Sequence, residues 1–600
     1  MRACIADALS QQYWFSLAHH YERASAMLPT ALDDHTVAAL RSALFSADLE
    51  NPARAAIVSA RRKVEPTSSH QDRARAAYEQ LRVVVAELGA SSRIAMDPAV
   101  VRSLFEWSAV VTPDLFAVLS GHFVLTAGAI QRLGTASSEQ RSALARLDDA
   151  EYVGVFLLTE LGYGSNVLEM KTEARWDPLL RQFTLHTPDP AAVKFMPNVA
   201  DGDVPKVAIV AARLIVEGRD EGVFPFLFSL RDHSGTVPGV ETHRLPEKGF
   251  CPMDNAATRF DGAVVPEGGW LSGGIASFDQ SGRFHSSVPS RRKRFHHTIG
   301  QLQTGRVALA TGTVAAARAA LSLTARYATK RRTAGGKWML DRDNVRLPLT
   351  AAVARVYAAS ALGNAAWAAI EPGENTSPDG ASSLLAMLAK PMLTWTALDV
   401  LQECRERMGA QGMFRANMIV DYIGITQGAI TAEGDNQVLQ VAAGLTLAAN
   451  RAALLPRPAG RVPAWQRLLD LRARVLAERQ GSRGGQQAME IAEASAAAWA
   501  AHELRSTCQD RAGAQSLLEH VAELYGTGEV LRTASWHIVH GTVEPAEVRE
   551  LEGRHAQLIE ELAPHLHQLI EAFGVTADLT PSAFATENYL TASLPESWTS

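Results

Sequence analysis

Between residues 152 and 271 the texture of this 600-residue chain changes, and that change constrains most of what it can fold into. Runs of β-branched and aromatic residues, such as Val207-Ala208-Ile209-Val210, Phe183-Thr184-Leu185 and Phe224 to Phe228, stand between turns rich in Gly, Pro, Asn and Asp. That is the pattern of short strands. On either side the apolar residues recur at three- and four-residue steps instead. Ala74, Ala77, Leu81, Val84 and Leu88 do so before it, and Val307, Ala310, Val314, Ala317, Leu321 and Ala325 after it. Each set falls on one face of an α-helix. Helical periodicity continues over 349–369, 382–408 and 438–454 and again beyond residue 465.

A single core stops growing near about 250 to 300 residues, so the chain is expected to divide. The reading is α+β, mainly α: an N-terminal helical domain over 1–150, a middle β-barrel domain over 151–275, a helical domain over 276–455 built as a four-helix bundle, and a second C-terminal helical domain over 464–600. The stretch 456–463 holds three prolines and a glycine and reads as a linker. Residues 273–297 are polar, include Arg291-Arg292-Lys293-Arg294, and read as an exposed loop or hairpin.

Composition removes several function classes. The net charge of −6 is small for this length and no basic block dominates, so neither nucleic acid nor a membrane surface is expected as a partner. The four cysteines (Cys4, Cys251, Cys404, Cys508) are far apart, which suggests neither a disulfide framework nor zinc. The pairs His19-His20 and His296-His297 lack a third ligand at metal spacing, so no metal is expected. No secretory head, no unbroken run of about 18 apolar residues and no terminal S-K-L is present, and a cytoplasmic protein is expected. Abundant alanine, and arginine in excess of lysine, resemble proteins of high-GC bacteria.

Several segments carry chemistry-bearing residues. Thr159-Glu160-Leu161-Gly162-Tyr163-Gly164-Ser165-Asn166 combines two glycines with hydroxyls that suit a polar ligand edge, and alone reads equally as a capped turn. Met253-Asp254-Asn255 and Phe260-Asp261-Gly262 precede a proline that would end an edge strand. Arg306 and Arg331 bracket a long helical stretch, and a guanidinium suits a phosphate bidentately. Gly409-Ala410-Gln411-Gly412 follows Glu403-Cys404 as a glycine-ended helix would. Thr431-Ala432-Glu433-Gly434-Asp435-Asn436-Gln437 places a glutamate after a polar turn and before an apolar helix, by itself the place of a helix cap.

Taken in order, these segments resemble the acyl-CoA oxidase and acyl-CoA dehydrogenase superfamily, in particular its acyl-CoA oxidase branch, as a bacterial member. The likeness continues through Trp176-Asp177-Pro178, Thr187-Pro188 and Lys194-Phe195-Met196-Pro197. It implies FAD as cofactor and Glu433 as the base that removes the α-proton of an acyl thioester. Thr159, Ser165, Asn198, Arg331, Thr333, Gln411, Gly412, Asp435 and Gln437 are the implied cofactor contacts, with Ser165 and Arg306 toward the substrate. Asn198 stands where the family has a glycine, Ala334 where it has Phe, and Gln411 where it has His. The implied reaction yields a trans-2-enoyl thioester, of CoA or of a carrier protein. Its electrons pass to O2, giving hydrogen peroxide, or alternatively to an electron-transfer flavoprotein; the other alternative is a non-catalytic or otherwise repurposed member of the fold. A homodimer or higher homo-oligomer is implied as well.

Overall fold

The computed structural model describes residues 33–45, 52–298, 302–370, 380–450, 462–478, 484–509, 513–586, 588–594 and 596–598. Most of the expected linker at 456–463, together with Cys4 and His19-His20, lies outside the described residues.

Helices α1 (Asp34–Leu44), α2 (Pro52–Lys63), α3 (His70–Leu88), α4 (Pro98–Val111), α5 (Pro113–Leu133) and α6 (Ser138–Leu147) come first. Their ends follow local chemistry. Ser69 accepts the Asp72 N–H to start α3, and Gly89, at φ 96°, stops it. Asp97 caps α4, whose first residue is proline. Within α5 the segment Ser120–Ala127 is wound as a π-helix, a rare form that shifts a helix's register and recurs at functional sites. His122 pins this turn in place. Its Nδ1 accepts the Gly154 N–H at 3.1 Å and its Nε2 meets Ser91 Oγ at 2.9 Å. Burial lowers the His122 pKa to about 3, so the ring is neutral and free to accept.

The strands follow: β1 (Val153–Leu157), β2 (Glu173–Asp177), β3 (Gln182–His186), β4 (Lys194–Asn198), β5 (Lys206–Val216), β6 (Arg219–Asp232), β7 (Gly235–Thr236), β8 (Val240–Arg244) and β9 (Asn255–Pro266). The sheet runs β4-β9-β3-β2-β5-β6-β7, with β1 beside β5 and β8 beside β9. β5 and β6 form a hairpin closed by Glu217 and Gly218, both at positive φ (49° and 74°), the two-residue turn whose twist matches paired strands. The expected barrel is not formed. The sheet stays open because β9 divides its pairing, taking β4 and β8 along Asn255–Phe260 and β3 along Asp261–Pro266, while the ends of the path, β4 and β7, do not meet. One face carries an aromatic core in which Trp176 stacks on Phe278 at 4.0 Å beside Phe183, Phe226 and Trp270.

A hairpin of β10 (Ala276–Phe278) and β11 (Phe284–Ser286) and helix α7 (Arg291–Thr298) occupy the segment read as a loop or hairpin. Arg294 in that basic run is buried and bonds to Glu221. Then come α8 (Leu302–Lys330), α9 (Asp343–Ala368), α10 (Ala381–Arg407), α11 (Ile419–Thr431) and α12 (Asn436–Asn450), and after them α13 (Ala464–Glu478), α14 (Gly485–Ser506), α15 (Gln515–Arg532) and α16 (Pro545–Leu562). α8 is central and packs on α4, α9, α10 and α11. Its small residues permit close approach: a Cβ on Gly312 would come 2.3 Å from the Phe116 ring.

The sequence holds no unbroken run of about 18 apolar residues, yet among the described residues three helices, Pro113–Leu133, Gln303–Lys330 and Ala381–Arg407, are by length and mean hydropathy apolar enough to cross a membrane. Interspersed Gly, Ser and Thr hide the property from a search for consecutive apolar residues. The most apolar windows of these helices are 78%, 100% and 67% buried against the rest of the protein.

Candidate active site

α11 ends at Thr431 and α12 begins at Asn436, leaving a bend that holds Glu433 at φ 57° and Gly434 at φ 103°. A left-handed glutamate costs on the order of 1 kcal/mol and persists only where its surroundings over-determine it. Three anchors do so. Arg306 Nε donates to the Glu433 carbonyl at 2.8 Å, and Lys390 Nζ donates to the carbonyls of Ile430 at 2.9 Å and Gly434 at 2.6 Å. Asn436 Nδ2 donates to Thr394 Oγ1 at 2.9 Å and fixes the start of α12.

The conformation aims the carboxylate at α8 and α5. A Cβ on Gly305 would come 2.5 Å from Oε1 and 2.9 Å from Oε2, so the carboxylate lies directly on the glycine. Ser120 Oγ, in the π-wound turn, donates to Oε1. Oε2 is buried and has no hydrogen-bond partner among the described residues. Burial raises the Glu433 pKa, outweighing the Ser120 hydrogen bond and the positive charges of Arg306 and Lys390, which lower it. A shielded carboxylate with one oxygen held and the other unsatisfied is arranged as a proton acceptor.

The π-wound turn also connects this carboxylate to the sheet. Gly121, next to Ser120, faces the Gly154 carbonyl and Asn198 Oδ1, which a Cβ there would approach to 3.3 and 3.9 Å. Asn198 thus lies beside the turn that carries Ser120. Its side chain is committed to the scaffold: Nδ2 donates to the Tyr78 hydroxyl at 3.1 Å, and that hydroxyl donates to Asp254 Oδ1. Asp254 Oδ2 accepts the Asp201 N–H at 2.9 Å and faces Lys206 Nζ at 3.5 Å. Its neighbour Asn255 donates to the Met196 carbonyl at 2.6 Å, beside a Met196 that is itself left-handed at φ 69°. The Met-Asp-Asn landmark is therefore an anchor for β4.

Thr159 flanks the same strand, its carbonyl accepting the Phe195 N–H at 2.9 Å. Glu160 is buried. It accepts the backbone N–H groups of Lys171 and Thr172 at 2.7 and 2.8 Å, the Thr172 hydroxyl at 2.5 Å and Lys194 Nζ at 3.0 Å. Gly162 packs so closely on Ala191 that a Cβ would lie 2.4 Å from the alanine's. Ser165 is exposed.

The other predicted contacts lie at helix ends. Arg331 is exposed just past α8. Thr333 Oγ1 donates to the Lys337 carbonyl at 2.9 Å and accepts from Arg342 at 3.0 Å. Gln411 accepts from Asn417 through its carbonyl at 2.9 Å and Oε1 at 3.1 Å. Gly412 is required, since a Cβ would meet the Arg405 carbonyl at 2.6 Å. Asp435 accepts the N–H of the exposed Gln437 at 2.9 Å. No hydrogen bond or ion pair among the described residues joins Arg331, Thr333, Gln411 or Gly412 to Glu433. Sequence reasoning missed Ser120, Lys390 and Tyr78, which lie far from the bend in sequence and carry no motif of their own.

Residues 299–447, which contain Arg306, Arg331, Lys390, Gln411 and Glu433, match the acyl-CoA oxidase, C-alpha1 domain. Over 92% of its length the chain superposes on acyl-CoA oxidase 1 of Yarrowia lipolytica, with a TM-score of 0.78, 18% identity and 90% of that structure covered. The fold is that of the acyl-CoA oxidases. A Caenorhabditis elegans acyl-CoA oxidase-1 structure complexed with FAD and ATP superposes with a TM-score of 0.77 at 17% identity, covering 95% of each chain. Among curated acyl-CoA oxidase relatives, the putative peroxisomal acyl-coenzyme A oxidase 3.2 of Arabidopsis thaliana is 30% identical over 346 residues, 56% of this chain and 50% of the relative. The acyl-coenzyme A oxidase-like protein of Mus musculus is 31% identical over 337 residues, 54% and 52% of the respective chains. The chain thus spans about half the length of the curated relatives it matches.

Proposed function

We propose that this chain is an FAD-dependent oxidoreductase of the acyl-CoA oxidase type, which converts an acyl thioester into its trans-2-enoyl thioester and passes the electrons to O2. The observation that carries the reading is the Glu433 carboxylate, shielded, held on Gly305 by Ser120, and left with one buried oxygen unpartnered. That orphaned oxygen suits a carbon acid's proton.

The residues present fit FAD. In this reading Thr159, whose carbonyl is bonded to β4, would meet the flavin ring, and the exposed Arg331 would meet a diphosphate. Gly412 packs on the Arg405 carbonyl and shapes the bend after α10, and Thr333, Gln411, Asp435 and Gln437 are the further polar contacts this reading assigns to the cofactor. When bound, FAD supplies the acceptor for the hydride that leaves the substrate's β-carbon. The rest belongs to the chain. The α C–H bond breaks and its proton moves to Glu433. The electron pair left on the α-carbon forms the new double bond as the β-hydride departs. The raised pKa of Glu433 brings the base closer in strength to the carbon acid it must deprotonate. Arg306 bonds to the Glu433 carbonyl, which makes it a positioning group more than a substrate contact.

An acyl-CoA is the substrate class this reading favours, acted on by a homodimer or higher homo-oligomer. The test is stopped-flow absorbance of the purified protein mixed anaerobically with acyl-CoA esters of several chain lengths, followed by O2. Bleaching of the flavin band, then reoxidation with peroxide release, is expected. Bleached flavin that O2 leaves reduced but an electron-transfer flavoprotein reoxidises would mark a dehydrogenase. A protein that binds no flavin overturns the reading.

Gly305→Ala tests the geometry. The added Cβ forces the carboxylate off α8, and displacements of about 1 Å in a reacting group cost on the order of 10²-fold in rate. Bleaching slowed by about that factor with flavin content preserved is the expected result, read from the same anaerobic traces.

A further inference from the structure

We infer that Lys390 is a positioning residue for Glu433, pinning the carbonyls of Ile430 and Gly434 on either side of the base and so holding the left-handed bend that presents its carboxylate. The inference rests on the proposed role of Glu433.

Lys390 lies inside α10 and is fully buried. A buried ammonium is costly unless its hydrogens are taken up, and an apolar residue of similar size would pack at this position more favourably. Here both hydrogen bonds go to backbone carbonyls, at 2.9 and 2.6 Å. Ile430 sits in the last turn of α11, where the carbonyls carry the negative end of the helix dipole. Gly434, four residues on, is the second left-handed residue of the bend. One side chain thus closes the interval 430–434, while Arg306 holds the Glu433 carbonyl inside it. Without Lys390 the Glu433 backbone would keep the Arg306 bond, and the start of α12 its Asn436–Thr394 bond, but the carbonyls on either side of the base would lose their shared donor, against the tendency of a non-glycine residue to leave positive φ.

The ammonium also acts on the carboxylate electrostatically. The charged groups that face Lys390 are Arg306 of α8 and Glu433 and Asp435 of the bend. Burial, with Arg306 second, lowers the Lys390 pKa to about 7, and its positive charge in turn lowers the pKa of Glu433. Removing the cation therefore raises the Glu433 pKa further. Glu433 acts as a base only when unprotonated, so the rising limb of the rate then moves to higher pH.

The experiment compares wild-type holoenzyme with Lys390→Met, Lys390→Gln and Lys390→Arg, measuring flavin content, thermal unfolding and the anaerobic bleaching rate by acyl-CoA across pH. Lys390→Met is expected to retain flavin, to bleach about 10²-fold more slowly, and to show its rising limb at higher pH. Lys390→Arg is expected to restore most of the rate and the wild-type limb, which a merely space-filling role would not require. Should Lys390→Met not fold, Lys390→Gln, whose amide can still donate to one carbonyl without charge, carries the comparison with the same expected directions. Wild-type rate and an unchanged limb in a flavin-replete Met or Gln variant overturn this inference and leave the proposed function standing. A wild-type protein that does not bleach with any acyl-CoA overturns both.

Discussion

Glu433→Gln is expected to retain flavin and lose anaerobic bleaching by acyl-CoA, with the reductive rate falling by about 10³-fold or more, near the upper range of general-base effects. The substitution preserves shape, and the amide oxygen can still accept from Ser120 Oγ. The backbone anchors from Arg306 and Lys390 reach carbonyls and do not involve the altered atoms. What disappears is the ability to take a proton. Stopped-flow absorbance with the flavin band intact isolates that loss, and bleaching at the wild-type rate would remove Glu433 from the mechanism.

Glu160→Ala is expected to produce the largest loss of stability among single substitutions near the site. Both Glu160 and Lys194 side chains are fully buried, 3.0 Å apart. The carboxylate also satisfies the N–H groups of Lys171 and Thr172. Burial lowers the Lys194 pKa to about 8 even with Glu160 present, so the lysine depends on that partner to stay charged. Removing one member of a buried pair costs about 3–5 kcal/mol. The Thr159–Ser165 loop and β4 share this anchor, so flavin affinity is expected to fall along with the melting temperature. Thermal denaturation of flavin-loaded and flavin-free protein measures both, and an unchanged melting temperature would show the pair to be dispensable.

Much of this architecture is legible in the sequence, because it depends on local rules. The period-3.6 stripe from Val307 to Ala325 falls wholly within α8, which spans Leu302–Lys330. The β-branched and aromatic runs fall in β3, β5 and β6. Sheet closure was not legible, since it depends on which partners β9 takes, a long-range matter no strand pattern encodes. The site divides the same way. Glu433 stands in an ordered motif, whereas Ser120, which holds its carboxylate, lies 313 residues away, and Lys390, which holds its backbone, is an unremarked lysine in an apolar helix. Asn198 and Glu160 show the reverse: each sits in a motif that resembles a cofactor contact, and each has its side chain engaged by the scaffold.

The apolar character of α8 reaches beyond the folded state. Its principal partner α10 begins only at Ala381 and ends at Arg407, well after Lys330 has been made. At about 5–20 residues per second, synthesis leaves roughly 4 to 15 s in which a segment long and apolar enough to cross a membrane has been made without α10. Any change that delays the arrival of α10 therefore lengthens the time for which the apolar surface of α8 stands without its principal partner.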